Sequence, residues 1–159
     1  MSNPSQGRAV RETALGIAVN KTLAALADAN IFTVYGRNLV TLLTGSVTVE
    51  GDGGATTIKL QTETNTIDLC AATTVTGDVI GTTYFLTGEV AVILNGTGNT
   101  PIIDVGANLT GMPSSPVILG RPDTLDAIQL VQTGDDTDLE IAWLLTYIPL
   151  DEGAYIEPA

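Results

Sequence analysis

A ten-residue segment near the C-terminal end of the chain alternates between apolar and other residues with a period of two. Within Leu139–Ile148 the odd-numbered positions are Leu139, Ile141, Trp143, Leu145 and Tyr147. Successive side chains of a β-strand point to opposite faces of the sheet, so this pattern predicts a strand with Trp143 in a hydrophobic core. Leu144 and Ile148 are apolar as well, so we expect the strand to be covered on both faces near its end, by a second sheet and by another subunit or the N-terminal arm. Pro149 is expected to end the strand.

Similar short segments recur along the chain, separated by turn residues. The predicted strands are Ile31–Tyr35, Leu39–Glu50, Thr56–Gln61, Ile67–Ala71, Thr82–Leu86, Glu89–Asn95, Ile102–Val105, Val117–Leu119, Ala127–Gln132 and Leu139–Ile148. Short strands at such spacing predict an antiparallel sandwich or barrel. We predict an all-β fold, an antiparallel and jelly-roll-like β-sandwich that forms one domain over residues 31–159.

Glycine marks three positions in this pattern. Gly51–Gly54 follows one predicted strand and precedes the next, which predicts a hairpin. Gly134–Thr137 separates two strongly apolar strands and predicts a second hairpin. Gly45 interrupts a long strand and predicts a bulge or a bend.

Charge is unevenly distributed along the 159 residues. Five of the six cations precede Leu60, whereas fourteen of the eighteen acids follow Lys59, and the net charge is −12. A protein that binds nucleic acid needs a basic surface, so we expect no nucleic-acid partner. An anionic membrane surface would repel the chain, and no window of 18 apolar residues predicts a membrane span, so we expect no membrane partner.

Residues 1–30 differ from the rest in the spacing of their apolar residues. Apolar residues with partly helical spacing follow a polar start, and Thr22 could cap a short helix that reaches Ala29. We predict an N-terminal arm or short helix, and a strand that adds to a neighbour's sheet is the alternative. Asn20 and Lys21 interrupt the apolar stretch, which argues against a secretion signal.

Few residue patterns in this chain indicate catalysis. The sequence has no His, which removes imidazole as a general base and as a metal ligand. It has no Gly-rich phosphate loop and no Gly-x-Ser-x-Gly motif. One Trp and two Phe provide few platforms for a sugar-cleaving site. Cys70, the single cysteine, is expected to be a buried apolar residue. We therefore expect no enzymatic activity and no cofactor.

One acidic cluster is a candidate metal site. Asp135, Asp136, Asp138 and Glu140 lie close together near a predicted turn, and carboxylate oxygens are the ligands that Ca²⁺ prefers. Acidic residues are also common in solvated turns, and Asp138 and Glu140 fall on the polar side of a strand. The turn interpretation is favoured, and the metal interpretation stays a secondary hypothesis.

Several segments resemble a family of small virion proteins of tailed bacteriophages. The matching segments are Ile31–Val34, Leu39–Thr48, Thr57–Gln61, Asp68–Ala72, Gly81–Gly88 and Trp143–Ala154. They are patterns of strands and turns and contain no catalytic signature. Residues 1–30 are not part of the resemblance.

The resemblance implies a structural component of the phage particle, located on the capsid surface after synthesis in the host cytoplasm. Within that family we favour a capsid decoration, or cement, protein. Such proteins bind the major capsid protein on the outside of the head, often as homotrimers. The candidate contact residues are the cations Arg8, Arg11, Lys21 and Arg37, of which the first three lie on the predicted arm.

Two other functions remain open at this stage. One is another virion role, as a tail, baseplate or head-fibre protein. The other is a module that binds carbohydrate or a host surface, since a β-sandwich supports many unrelated functions. An exposed Trp or Tyr patch would favour the second of these.

Overall fold

The structure is a computed structural model and describes residues 16–23, 28–86, 117–136 and 138–159. The described residues contain ten β-strands and no helix. The strands are β1 (Ile17–Leu23), β2 (Ala29–Tyr35), β3 (Asn38–Val49), β4 (Thr57–Thr62), β5 (Thr73–Thr74), β6 (Thr83–Phe85), β7 (Val117–Leu119), β8 (Leu125–Thr133), β9 (Glu140–Pro149) and β10 (Tyr155–Pro158). The all-β prediction is therefore confirmed for the described part of the chain.

The strands form two antiparallel sheets. The first sheet has the order β1-β9-β3-β6, and β7 also pairs with β3. The second sheet has the order β10-β2-β8-β4-β5. Strands that follow one another in the chain often lie in different sheets, so the chain crosses repeatedly from one sheet to the other.

The pairing is nested along the chain. β1 pairs with β9, β2 with β8, β3 with β6 and β4 with β5. The strands farthest apart in the sequence therefore pair with each other, and so do the strands nearest the middle of the sequence. The same pairing arises when one long hairpin is folded onto itself. β7 and β10 are additions to this pattern, at β3 and β2 respectively.

One hydrophobic cluster joins both sheets. The first sheet contributes Leu43 and Trp143, and the second contributes Phe32, Ile58 and Leu130, each at most 1% exposed. The buried positions of β9 are the odd-numbered ones, as predicted, and β9 ends at Pro149, as predicted. Burial of such apolar side chains is the dominant favourable term in folding.

The two predicted hairpins are wrong. β3 lies in the first sheet and β4 in the second, so residues 50–56 connect the sheets. Residues 134–139 likewise connect β8 of the second sheet to β9 of the first. Alternation shows which side chains face a core, but it does not show which strand is the partner. A turn rich in Gly and Asp can join two paired strands of one sheet or two strands of different sheets.

The predicted bend at Gly45 is also wrong. The register of β3 against β9 shifts at Thr41 and at Thr48, and Gly45 continues the ladder opposite Trp143. As a result the buried face of β3 changes from Asn38 and Val40 to the odd-numbered residues beyond Thr41. Val49, which follows the second shift, is exposed.

The predicted helix at Thr22–Ala29 is not present where the structure describes this segment. Thr22 belongs to β1 and Ala29 begins β2, while residues 24–27 lie outside the described residues. β1 is a strand of the domain itself, since all seven of its residues pair with β9. Part of the predicted arm therefore belongs to the first sheet.

Three further strand predictions need comment. Ile67–Ala71 is not a strand, although Asp68 forms an isolated bridge to Gln61. The predicted strands Glu89–Asn95 and Ile102–Val105 lie outside the described residues. Cys70 is buried, as predicted, and its sulfur accepts a hydrogen bond from the Leu60 backbone N–H at 3.2 Å.

Candidate functional site

Asp136 stabilises two of the connections between the sheets, at residues 50–56 and 134–139. Its side chain is buried, and Oδ1 accepts hydrogen bonds from the backbone N–H groups of Asp138 at 3.0 Å and Leu139 at 3.1 Å. Its own backbone N–H donates to the Thr56 hydroxyl at 3.1 Å, and Thr56 lies in the other connection. A carboxylate that accepts several backbone hydrogen bonds is a structural element of a turn.

The four candidate metal ligands lie in different environments. Asp136 faces the backbone, whereas Asp135 and Asp138 are exposed, and Glu140 lies in β9. Among the residues that the structure describes, no group of three or more His, Cys, Asp or Glu side chains could hold a metal ion. Asp136 is thus assigned to the turn in which sequence analysis placed it, with a structural role.

The four candidate contact cations have different environments. Arg8 and Arg11 lie outside the described residues. Lys21 lies on β1 with its ammonium group hydrogen-bonded to the backbone oxygen of Ala159. It occurs on the same face of β1 as Val19, which packs against the core.

Arg37 is paired with Asp151. Arg37 Nη2 lies 2.6 Å from Asp151 Oδ1, and the Arg37 backbone N–H donates to Asp151 Oδ2 at 2.9 Å. The side-chain hydrogen bond raises the pKa of Arg37 and lowers the pKa of Asp151. The Arg37 side chain remains 50% exposed, so it can also reach a partner, but its charge is already matched.

A buried carboxyl–phenol pair is the feature that sequence reasoning missed. The Tyr84 hydroxyl donates a hydrogen bond to Asp78, and both residues are at most 3% exposed. Burial raises the pKa of Asp78, and burial together with the nearby Asp78 raises the pKa of Tyr84. Nothing local in the sequence indicates that the Asp78 carboxyl meets a strand tyrosine six residues later. The pair is closed to solvent and bears on stability.

The outer face of the first sheet is a candidate surface for binding. We define it by the side chains of β1, β9, β3, β6 and β7 that point away from the core. Its large apolar members are Leu39, Leu42, Phe85, Ile118, Leu144 and Ile148. The remaining members from these strands are small or uncharged, apart from Glu140 at the end of β9.

The outer face of the second sheet is more polar. Lys59 and Asp68 form an ion pair of 2.7 Å there, Gln61 and Gln129 are hydrogen-bonded at 2.8 Å, and Glu157 is exposed. At one corner of this face Tyr35 and Tyr155 stack, with ring centroids 5.5 Å apart. Leu125, the neighbour of Tyr35 on β8, is also exposed.

Comparison of the chain with protein-family models, with curated proteins and with solved structures found no match. The resemblance to virion proteins therefore stays a prediction. The described part of the chain contains no helix of the length and apolar character that crossing a membrane requires.

Proposed function

We propose that this protein is a structural component of a tailed-phage particle, and specifically a capsid decoration protein that binds the major capsid protein on the outside of the head. The observation that carries the proposal is the nested pairing of strands in two antiparallel sheets around one core. Folded-over antiparallel sheets of this kind are common in viral capsid and lectin domains. The resemblance of the strand segments to virion proteins supports the same role.

The fold behind this proposal is a jelly-roll sandwich. If β7 and β10 are set aside, eight strands remain, and the first pairs with the last, the second with the next to last, and so on inward. This pairing supports the connectivity of a jelly roll, which forms two sheets from one folded ribbon. The shared hydrophobic cluster supports face-to-face packing of the two sheets.

Attachment to the capsid is assigned to the N-terminal arm, now limited to residues 1–15. Arg8 and Arg11 lie in this segment, whereas Lys21 belongs to β1 and Arg37 is paired with Asp151. Cationic side chains on an arm can pair with carboxylates or carbonyl groups of the shell. Many copies, associated as homotrimers, would bind the shell through many such contacts at once and so attach more tightly than any single contact allows.

The test is a deletion that ends before β1. Removal of residues 1–15 leaves all ten strands of the described residues in place, whereas removal of residues 1–21 would also take most of β1 from the first sheet. Occupancy on purified heads that lack the protein is measured by sedimentation for the full chain and the truncated chain. We expect occupancy to fall at least about tenfold while the melting temperature is unchanged, because arm contacts supply the affinity.

A matched pair of variants sharpens this test. Arg8→Ala with Arg11→Ala should weaken attachment, whereas Arg121→Ala, which removes a cation of the folded domain, should not. Unchanged occupancy after deletion of residues 1–15 would contradict the role of the arm. Absence of the full chain from the particle would contradict the virion role altogether.

Binding of carbohydrate or a host surface is a second candidate, because one observation favours it. The stacked Tyr35 and Tyr155 rings lie at an exposed corner beside Leu125, and sugar rings bind to aromatic faces of this kind. Titration with cell-wall polysaccharide, followed by tyrosine fluorescence, tests this candidate. Binding that Tyr155→Ala abolishes would favour it, and the absence of any binding would remove it.

A further inference from the structure

We propose that a second copy of this chain binds to the outer face of the first sheet. The proposed homotrimers already imply self-association, and this inference assigns a face to it from the fold alone, without using the virion role. It rests on the placement of six large apolar side chains and on the charge of the molecule.

The apolar side chains of this face are contiguous across four strands. Ile118, Leu39 and Ile148 are cross-strand neighbours on β7, β3 and β9. Leu42 lies beyond Leu39 on β3, opposite Thr146. A further row contains Phe85, Thr44 and Leu144. Cross-strand neighbours on one face lie about 5 Å apart, so the six side chains form one patch.

This patch is accessible at two opposite corners. Ile118 is 60% exposed and Leu144 is half-buried. Contiguous apolar patches on a protein surface mark sites of interaction, since covering them removes apolar area from water. The patch is three strand positions wide, because β7 and β6 lie one after the other along the same edge of β3. Three strands about 4.8 Å apart and seven residues at about 3.4 Å each give a footprint of roughly 340 Å². Such an area predicts association that dissociates on dilution, because stable interfaces bury about 800 Å² per partner.

The absence of charge on the patch favours a second copy as its occupant. Each copy has a net charge of −12, so two copies repel each other over most of their surfaces. The patch itself has no charged member, and Glu140 lies at its end. Two copies that meet here need not bury a carboxylate, and they keep the acidic surfaces in solvent. A basic partner, by contrast, would find no carboxylate on the patch to pair with.

Mass in solution tests the proposal. Sedimentation velocity of the full chain over a range of concentrations should show a species of two or more times 16.4 kDa that dissociates on dilution. Added salt should strengthen the association, since it screens the repulsion between like-charged copies. A chain that remains monomeric at every concentration and salt level would overturn the proposal.

A matched pair of variants locates the interface. Leu144→Glu places a carboxylate within the patch and should raise the dissociation constant at least about tenfold. Val131→Glu makes a similar change beside Lys59 on the outer face of the second sheet, and association should be unchanged. Equal loss of association in both variants, or no loss in Leu144→Glu, would contradict the assignment to this face.

Footprinting of the unaltered chain covers the case in which Leu144→Glu does not fold. Ile118 and Ile67 are exposed to similar extents, at 60% and 54%, but only Ile118 lies on the patch. Hydroxyl-radical labelling at low and high protein concentration should show protection of Ile118 and none of Ile67. Equal labelling of Ile118 at both concentrations, with association present, would place the interface elsewhere.

Discussion

Gly45 lies directly against the indole ring of Trp143. The two residues are cross-strand partners in β3 and β9, and a methyl group built on Gly45 would lie 2.8 Å from Cζ3 of the ring. It would also lie 2.9 Å from Cγ2 of Ile141. The glycine is thus required by the space that the largest buried side chain occupies, and it marks neither a bulge nor a bend.

Gly45→Ala should destabilise the fold. The added methyl group forces Trp143 or the backbone to move, and overpacking of this kind costs about 1–3 kcal/mol. Urea denaturation followed by Trp fluorescence gives the free energy of unfolding. Ser46→Ala, one residue away on the outer face, is the control and should change it by less than about 0.5 kcal/mol. A neutral Gly45→Ala would show that the packing against Trp143 is loose.

The Asp78–Tyr84 pair predicts a dependence of stability on pH. Burial raises the pKa of Asp78 above its ordinary value of 3.8, so the folded state holds the proton more tightly than the unfolded state. The contribution of this carboxyl is therefore fully present below about pH 4 and is lost as the pH rises through the folded-state pKa. Asp78→Asn should remove this loss of stability with rising pH. The measurement is the difference in unfolding free energy between the two proteins from pH 4 to 7. Identical pH profiles would contradict the assignment.

Tyr84→Phe tests the same pair from the other side. It removes the hydroxyl that donates to Asp78 and leaves a buried carboxyl without that donor, which costs about 1–3 kcal/mol. Because the hydrogen bond from Tyr84 lowers the pKa of Asp78, the variant should also raise that pKa further. Carboxyl titration by NMR measures the shift. A fall in the pKa of Asp78 would show that Tyr84 is not its donor.

The Arg37–Asp151 pair predicts the opposite sign of pH dependence. Hydrogen bonds from Arg37 lower the pKa of Asp151, so its contribution to stability is present above the ordinary pKa of 3.8 and is lost as the pH falls. Because both groups face solvent, we expect a small effect that salt reduces. Denaturation of Asp151→Asn at low and high salt measures it. An effect that salt leaves unchanged would contradict a solvent-screened pair.

Asp136→Ala should be the most damaging change in the acidic cluster. It leaves the backbone N–H groups of Asp138 and Leu139 without the acceptor Oδ1, at a cost of about 1–3 kcal/mol each when buried. Asp135→Ala, at an exposed carboxylate, is the matched control and should be nearly neutral. Thermal unfolding of both variants checks this order, and addition of Ca²⁺ or EDTA to the unaltered chain should not move its midpoint. A stabilisation by Ca²⁺ would restore the metal interpretation.

Local periodicity accounts for much of what could be predicted. The strand that contains Trp143 was predicted at Leu139–Ile148 and lies at Glu140–Pro149, and Val117–Leu119 was predicted with its observed bounds. Both predictions depend only on which residues of one segment face the core. Lys21 explains why β1 was harder to recognise, since it interrupts the apolar alternation of a strand on the face that packs against the core.

Long-range pairing could not be predicted in the same way. The turn at Gly51–Gly54 has the composition of a hairpin, yet its strands belong to different sheets. The contacts that decide this, such as that of Asp136 with Thr56, join residues 80 positions apart. The outer face of the first sheet likewise became visible only when the register brought Ile118, Leu39 and Ile148 into one row.

Cryo-electron microscopy of the particle tests the proposed function most directly. The map is calculated for particles with and without this chain, and the difference density is located. We predict difference density at repeated icosahedral positions on the outer surface of the head, in contact with the major capsid protein and large enough for a two-sheet domain. Density confined to the tail or baseplate, or no difference between the two particles, would contradict a capsid decoration protein.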